Sequence, residues 1–532
     1  MRLPQVVLDV VEDRRKRDVL IAACLALLAA GLYPRTLAPS MPSVQALLRA
    51  EPEILSLLVI AAFVSSANSI VGGVASDLWR RTSALVAGLT VLIASEAVSI
   101  VFSSGDVFYA AQFTGVIAVG VVVAFSIGAV ALNYSGTPRA TALGVAYGVY
   151  GMGTAVAPMM ATLLGALGPY WPAYAIAALG GVLGLWAVRR WRPELPGQLP
   201  ISRGALASVG LWGIGLLAVI TGLLTAGSQT DLVIRLFLIV GGGGLIALLA
   251  VRHVRRSSEF EGMIIKPRQM AAAVAVGGVV GFTQTIPLVL LPAVFEYVLR
   301  YNPPILATAA IAPFAIALLA AGPVAGIVLA RFSPRAVLLA GTATLGLGAI
   351  FVGLAFGAFG QGTSYLWLIL PLAAIGAGFV ISTTVRTALI FAATPRGLPA
   401  TAAGYNEASV ALGARVGIVA STIYVASAAT NSLNTLLGGR PDADARLAEF
   451  QRLVQNLGLP EFRAAVSDIA TADRVLYATA YLDGVWTAIL ASGVIAIIGA
   501  VLAWLLVGPG DPLATVFDMQ DERAAAQSGP AG

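Results

Sequence analysis

What this chain lacks narrows its class before any motif is read. It has one cysteine, Cys24, and one histidine, His253. An internal disulfide framework, a cysteine-rich metal site and an iron–sulfur cluster are therefore excluded. His253 sits in the basic loop Arg252-His-Val-Arg255-Arg256 and reads as a solvated loop residue, the alternative being a pH-sensitive contact with anionic lipid. Lysine is confined to Lys16 and Lys266, and charged residues make up only 11% of 532. No GxSxG, Walker or HExxH motif occurs, and no acid pair or nucleophile arrangement occupies a recognisable loop. ATP-driven transport, hydrolysis and enzymatic activity in general are unsupported, and no cofactor or metal is implied.

What is present is apolar. The chain is 58% hydrophobic with mean hydropathy +0.89, which a water-exposed surface does not accommodate. The apolar runs are long and do not alternate with period two, so the expectation is an all-α polytopic membrane protein and not a barrel. The net charge of +6 reflects short basic loops, which set topology, and does not point to nucleic acid.

Runs of about 20 apolar residues place spans near 19–41, 54–75, 82–103, 108–133, 138–165 and 171–189 in a first half. A second half holds 269–299, 305–330, 335–359, 364–393, 399–428 and 479–507. Two more runs, near 205–226 and 231–252, lie between the halves, joined by Gly227-Ser-Gln-Thr-Asp231. The expected organisation is a cytoplasmic segment 1–18, a six-helix bundle 19–192 and an inserted helix pair 203–253. A cytoplasmic linker 254–268, a second six-helix bundle 269–507 and a cytoplasmic tail 508–532 complete it, giving fourteen transmembrane helices. Within the second bundle an extracytoplasmic insertion, 429–478, carries apolar positions at helical spacing (Leu447, Phe450, Leu453, Leu457) among mixed charges, the pattern of short amphipathic helices. These either cap the outer mouth or occupy the surface.

Arg14, Arg15, Lys16, Arg17, Arg80, Arg81, Arg139, Arg189, Arg190, Arg331, Arg335 and Arg396 all fall on one side of this arrangement. That side is expected to be cytoplasmic, with both termini. The basic stretch before the first span resembles a signal peptide, but an even span count needs that span retained. Alanine- and arginine-rich usage suggests a high-GC bacterium and its inner membrane.

The strongest motif is Gly73-Val-Ala-Ser-Asp77-Leu-Trp-Arg80-Arg81 between two spans, with a degraded copy, Gly326-Ile-Val-Leu-Ala330-Arg331-Phe-Ser-Pro-Arg335, in the second half. Small residues let helices approach and the charges hold the hairpin at the membrane surface. It resembles motif A of the major facilitator superfamily. In the fifth span Gly144, Gly153, Ala157 and Pro158 keep the spacing Gly-x8-Gly-x3-Gly-Pro with alanine as third member, similar to the signature of the fourteen-span drug:proton antiporters. Weaker echoes are Tyr301-Asn-Pro-Pro, Ala403-Gly404-Tyr405-Asn406 with Gly413 and Gly417, and Tyr481-Leu-Asp483-Gly484. The resemblance implies two bundles rocking around a midplane site, with Gly73, Asp77, Arg80, Arg81, Gly326, Arg331 and Arg335 gating the cytoplasmic face. Asp77 is then expected to hold the N-terminal end of a neighbouring helix in one state and release it in the other.

The chain also departs from that pattern. Tyr33-Pro34-Arg35-Thr36 stands where these antiporters carry a first-span acid, and Gln112-Phe-Thr-Gly115 where they carry an arginine. Ionisable residues fall instead at Arg35, Glu96, Arg386, Glu407 and Arg415, each inside an expected span, where a charge requires a partner or a cavity. Glu96 and Glu407 are candidate proton carriers, or else fixed partners of the arginines. Arg35, Arg386 and Arg415 are candidate charge partners or contacts for anionic cargo. Thr283, Gln284 and Thr285 before Pro287 either line a cavity or bond their own helix; Gln112 and Asn406 are further lining candidates. Tyr33, Tyr147, Tyr150 and Tyr405 either contact cargo or pack between helices.

The expected function is export of small amphiphilic molecules by a monomeric, proton-coupled secondary transporter in contact with membrane lipids. Two alternatives are a lipid or organic-anion transporter with altered coupling and a nontransporting sensor or scaffold.

Overall fold

The structure is a computed structural model. It describes residues 10, 12–48, 69–70, 72–77, 81–102, 104–134, 136–165, 171–191, 236, 239–245, 268–301, 304–393, 399–455 and 471–507. Among these every regular element is helical, and ten are long and apolar enough to cross a membrane. Helices are what an apolar chain must form in hydrocarbon, because they satisfy every backbone N–H and C=O internally.

The first half comprises α1 (Arg14–Leu48), α2 (Arg81–Val101), α3 (Gly105–Asn133), α4 (Gly136–Gly165) and α5 (Trp171–Trp191), with a helical segment at 72–77 before α2. The second half comprises α6 (Arg268–Ala293), the short α7 (Pro304–Ala309), α8 (Ala312–Arg331), α9 (Pro334–Phe359), α10 (Leu366–Ala393) and α11 (Pro399–Leu437). It continues with α12 (Ala443–Gln455) and α13 (Thr471–Leu506). Within the first half α1 packs on α3, α4 and α5, and α2 on α3 and α5; within the second, α6 packs on α10, α11 and α13, and α9 on α10 and α13. The halves meet where α4 runs along α8 and α3 crosses α11. Trp186, Phe351, Leu370 and Ile498 point outward and exposed, as lipid-facing side chains do.

Proline shapes α6. Pro287 and Pro292 lie inside it, and it ends in a π-turn over Val294–Val298 in which Leu299 N–H donates to the Val294 carbonyl at 2.9 Å. A proline removes one ladder donor, and a wider turn re-satisfies the carbonyls it frees. Arg300 then turns the chain with φ of 59°, a left-handed conformation uncommon for a side-chain-bearing residue.

The 429–478 insertion is narrower than hydropathy suggests. α11 runs on to Leu437 instead of ending at 428, and α13 begins at Thr471 instead of 479. α12 is the expected amphipathic helix, and it docks on these extensions. Phe450 and Leu453 are buried, Phe450 meets Tyr477 with ring centroids 5.3 Å apart, and Tyr477 donates to Glu449 Oε2 at 2.8 Å. Arg446 joins Asp442 (2.6 Å) and Asp473, pinning the start of α12 to the start of α13. The Arg446 hydrogen bond holds the Asp442 carboxyl below the usual carboxylate range.

Most of the expected inserted pair (203–253), the linker 254–267, the tail 508–532, Arg80, His253 and Leu457 lie outside the described residues. So do the side chains of Arg35, Arg81 and Pro158, whose backbones are helical.

Candidate functional site

At the arginine-rich end Asp77 joins the two halves. Its carboxylate accepts from the backbone N–H of Ala400 (3.2 Å) and of Thr401 (2.8 Å), and from the Thr401 hydroxyl (2.8 Å). These amides belong to the first turn of α11, which begins at Pro399 and has no carbonyl of its own to offer them. A negative charge there also meets the positive end of the helix dipole. Each hydrogen bond to an ionised group contributes about 1.5–3 kcal/mol. The contact is close because Gly73, one turn before Asp77, carries no side chain: a Cβ there would lie 2.3 Å from the Ala400 carbonyl oxygen.

The second copy of the motif makes the same crossing without the acid. Ala140-Thr141-Ala142-Leu143-Gly144 opens α4 as Ala400-Thr401-Ala402-Ala403-Gly404 opens α11. A Cβ on Gly404 would lie 2.3 Å from Ser69 O, and one on Gly144 2.0 Å from Gly322 O; likewise Gly73 abuts Thr401 and Gly326 abuts Thr141. The two crossings are related by a constant shift, since 322 − 69 and 326 − 73 both equal 253 and 404 − 144 and 401 − 141 both equal 260. At the position equivalent to Asp77 stands Ala330. Of the remaining motif arginines, Arg335 donates to Trp504 O at 2.6 Å and stacks on that ring, and Arg331 is exposed.

Farther along α4 a polar junction spans the halves. Asn406 Nδ2 donates to the Tyr147 hydroxyl (2.7 Å) and to Thr387 Oγ1 (2.9 Å), while the Tyr150 hydroxyl donates to Glu407 Oε1 (3.0 Å). Arg386, fully buried on α10, donates from Nη1 to Ser409 Oγ (3.3 Å) and to the Ala273 carbonyl (3.4 Å). Gly277 makes room for it, since a Cβ there would lie 2.0 Å from Nη1. Tyr147 and Glu407 are its electrostatic neighbours. Tyr147, Asn406, Glu407 and Arg386 thus come together, and Tyr150, Thr387, Ser409 and Gly277 join them. Tyr405 is half-buried, as is Arg415 one face further along α11.

Glu96 lies elsewhere, inside the first half. It is completely buried on α2, and neither carboxyl oxygen has a hydrogen-bond partner. Gln112 and Tyr33 are its polar neighbours. Gln112 Nε2 donates to Ser99 Oγ at 2.8 Å, leaving its Oε1 unpartnered, and the Tyr33 hydroxyl bonds Ser95 Oγ and reaches Gln112 O (3.3 Å). Gly115 is where the Tyr33 ring fits, with its hydroxyl 1.7 Å from the place of a Cβ. Glu96 and Glu407 therefore occupy separate sites.

Other expectations resolve as packing. Thr283 donates to the Ser492 carbonyl (3.0 Å), fastening α6 to α13, and Gln284 is buried beside it. Gly153 packs on α1 near Leu28 and Gly31, and Ala157 is buried in the same interface, so the small residues of α4 serve two helices on two faces. Among the described residues no group of histidine, cysteine and acidic side chains could hold a metal.

The sequence pattern of the Major Facilitator Superfamily matches residues 19–418, and the chain belongs to that superfamily. It is a multi-pass membrane transporter and not an enzyme. No curated protein sequence matches it significantly. Solved structures with the same fold include the proton:xylose symporter XylE bound to 6-bromo-6-deoxy-D-glucose (TM-score 0.57, 13% identity, covering 94% of this chain and 98% of that one). The human organic anion transporter MFSD10 (TETRAN) aligns with TM-score 0.55 and 16% identity over 92% of this chain and 100% of that one. An auto-inhibited POT family peptide transporter gives 0.58 and 14% over 93% and 98%. At these identities the likeness establishes the fold alone.

Proposed function

We propose that the chain is a proton-coupled exporter of small amphiphilic molecules, of the fourteen-span antiporter type, working by alternating access in a bacterial inner membrane with its arginine-rich end in the cytoplasm. Glu96 carries this reading. An acid sealed in the first half, whose carboxyl oxygens make no hydrogen bond and whose nearest side-chain donor is Gln112, needs water admitted to hold a charge. A conformational change that opens and closes water access to Glu96 would load and unload a proton. The polar junction of Tyr147, Tyr150, Asn406 and Glu407 supports the rocking motion, because its hydrogen bonds cross between halves and are exchangeable for water or cargo when the halves part. Asp77 closes the cytoplasmic end and releases it once per cycle. Glu407, already bonded by Tyr150, serves the junction first and proton carriage second.

The test is proton flux in proteoliposomes containing wild type, Glu96→Gln or Glu407→Gln, challenged with cationic, neutral and anionic amphiphiles. Cargo-dependent proton movement in wild type, lost in Glu96→Gln and retained in part by Glu407→Gln, is the expected result. Cargo movement with no accompanying proton would remove the coupling. No movement of either, in protein shown to be folded, would favour the nontransporting sensor or scaffold.

A further inference from the structure

Arg386 is fully buried, yet only one end of its guanidinium is used. Nη1 reaches Ser409 and the Ala273 carbonyl, whereas Nε and Nη2 have no hydrogen-bond partner. Those two nitrogens form the side-on edge of the fork, the edge whose parallel N–H groups match the two oxygens of a carboxylate or phosphate. A buried cation with that edge empty is costly, since an unmade hydrogen bond to a charged group forfeits more than a neutral one. One helical turn earlier on α10, Thr383 is also buried and its hydroxyl is also unpartnered, so a second donor stands on the same face.

The acid nearest to hand does not fill the edge. Glu407 influences Arg386 electrostatically but receives its hydrogen bond from Tyr150, in the other half. The fork is held in place from behind, by Gly277, Ser409 and Ala273. Its neighbours Tyr147, Asn406 and Glu407 are the residues whose bonds bridge the two halves. The empty edge is therefore beside the seam that rocking opens.

We infer that the Nε–Nη2 edge of Arg386, with the Thr383 hydroxyl, receives the oxyanion of an amphiphilic cargo, a carboxylate or a phosphate monoester on an apolar tail. This deepens the transport reading by giving the cargo its charge. Glu407 is then the competitor for the same cation, holding the site's charge balance when cargo is absent. The two acids have different duties, Glu96 with the proton and Glu407 with the arginine.

Binding to purified protein in nanodiscs tests this directly, read by tryptophan fluorescence with decanoate, decyl phosphate, decanol and decyltrimethylammonium as probes. Inorganic phosphate serves as the tailless control. Decanoate and decyl phosphate should bind wild type at least about tenfold more tightly than decanol or the cation, the scale of one charge-assisted hydrogen bond. Arg386→Gln should erase that preference. Glu407→Gln should tighten anion binding several-fold, a direction that mere loss of packing does not produce. It also keeps the test decisive if Arg386→Gln does not fold. Equal binding of anionic, neutral and cationic probes, or weaker anion binding in Glu407→Gln, overturns the inference. If wild type shows no anion preference while Glu96-dependent proton flux with cationic amphiphiles persists, the inference falls and the transport reading stands. Loss of all coupled flux instead removes the reading itself. A preference for decyl phosphate over decanoate assigns the cargo to phosphate-bearing lipids, and the reverse to free carboxylic acids.

Discussion

Thr401 holds Asp77 twice, through its backbone N–H and its hydroxyl, each 2.8 Å from the same oxygen, Oδ2. One side chain in the first half thereby caps a helix in the second. Because the donors are the otherwise idle amides of a helix start, the contact requires no rearrangement of α11 to form or to break. It ties the two halves together at one helix start.

Asp77→Asn keeps the shape but removes the charge and replaces one oxygen with a donor. The closed end should lose about 2 kcal/mol, on the scale of a single hydrogen bond to an ionised group, or roughly a thirtyfold shift in the ratio of closed to open forms. Spin labels at Ser83 and Phe332, one in each half, in a Cys24→Ala background, would report it as a longer mean distance. An unchanged distribution would mean that the glycine packing alone keeps this end shut.

Ala330→Asp should do the opposite. It restores, one helical turn after the Gly326–Thr141 contact, the acid that the first crossing has. The same label pair should show the closed population rising, with transport slowed several-fold at saturating cargo. Faster transport would show that the two crossings are not mechanically equivalent.

Gly144→Val attacks the α4–α8 seam, where a Cβ would lie 2.0 Å from the Gly322 carbonyl oxygen. Both partners are backbone, so nothing soft can yield, and overpacking of this kind costs about 1–3 kcal/mol. Each half should still fold, seen as an ordinary elution profile in detergent, while transport falls at least tenfold. Near-normal transport would mean that the halves do not need to approach this closely during the cycle.

Acid should loosen α12. The Asp442 carboxyl is held below its ordinary range by Arg446, so its contribution to docking is present above the unfolded value of about 3.9 and disappears as pH falls through the lower folded value. The amide protection factors of α12, which divide out the intrinsic pH dependence of exchange, should be the same at pH 7 and pH 5 and lower near pH 3. Arg446→Ala should show the lowered protection already at pH 7, because it also frees Asp473.

Much of this was legible in the sequence, and the reasons for the rest are physical. Motif A pointed to Asp77 as a helix-end contact through the resemblance to the superfamily, and the helix dipole gives that contact its physical reason. The Ala-Thr-Ala-x-Gly repeat went unread, because its partners, Ser69 and Gly322, carry no chemical signal and are found only by seeing which backbones touch. Arg386 read as either a charge partner or a contact for anionic cargo. Its hydrogen bonds go to Ala273 and Ser409 instead, a contact that crosses 113 positions in one case and that no periodicity announces. Thr283 read as either a cavity residue or one bonded to its own helix, and its hydroxyl donates instead to Ser492 on α13, since a hydroxyl on a tightly packed helix finds a neighbouring carbonyl as readily as water. The ends of α11 and α13 were misjudged because hydropathy reports where lipid stops, not where the helix does.

That last difference has a mechanical side. α11 is an unbroken helix of 39 residues, a rod of about 58 Å at 1.5 Å per residue, nearly twice the thickness of the bilayer's hydrocarbon core. One of its ends is the one that Asp77 grips, and the other carries α12. A tilt of about 5° around the gripped end sweeps the far end through about 5 Å. Any tilt of α11 at the Asp77 contact would thus be magnified where α12 docks.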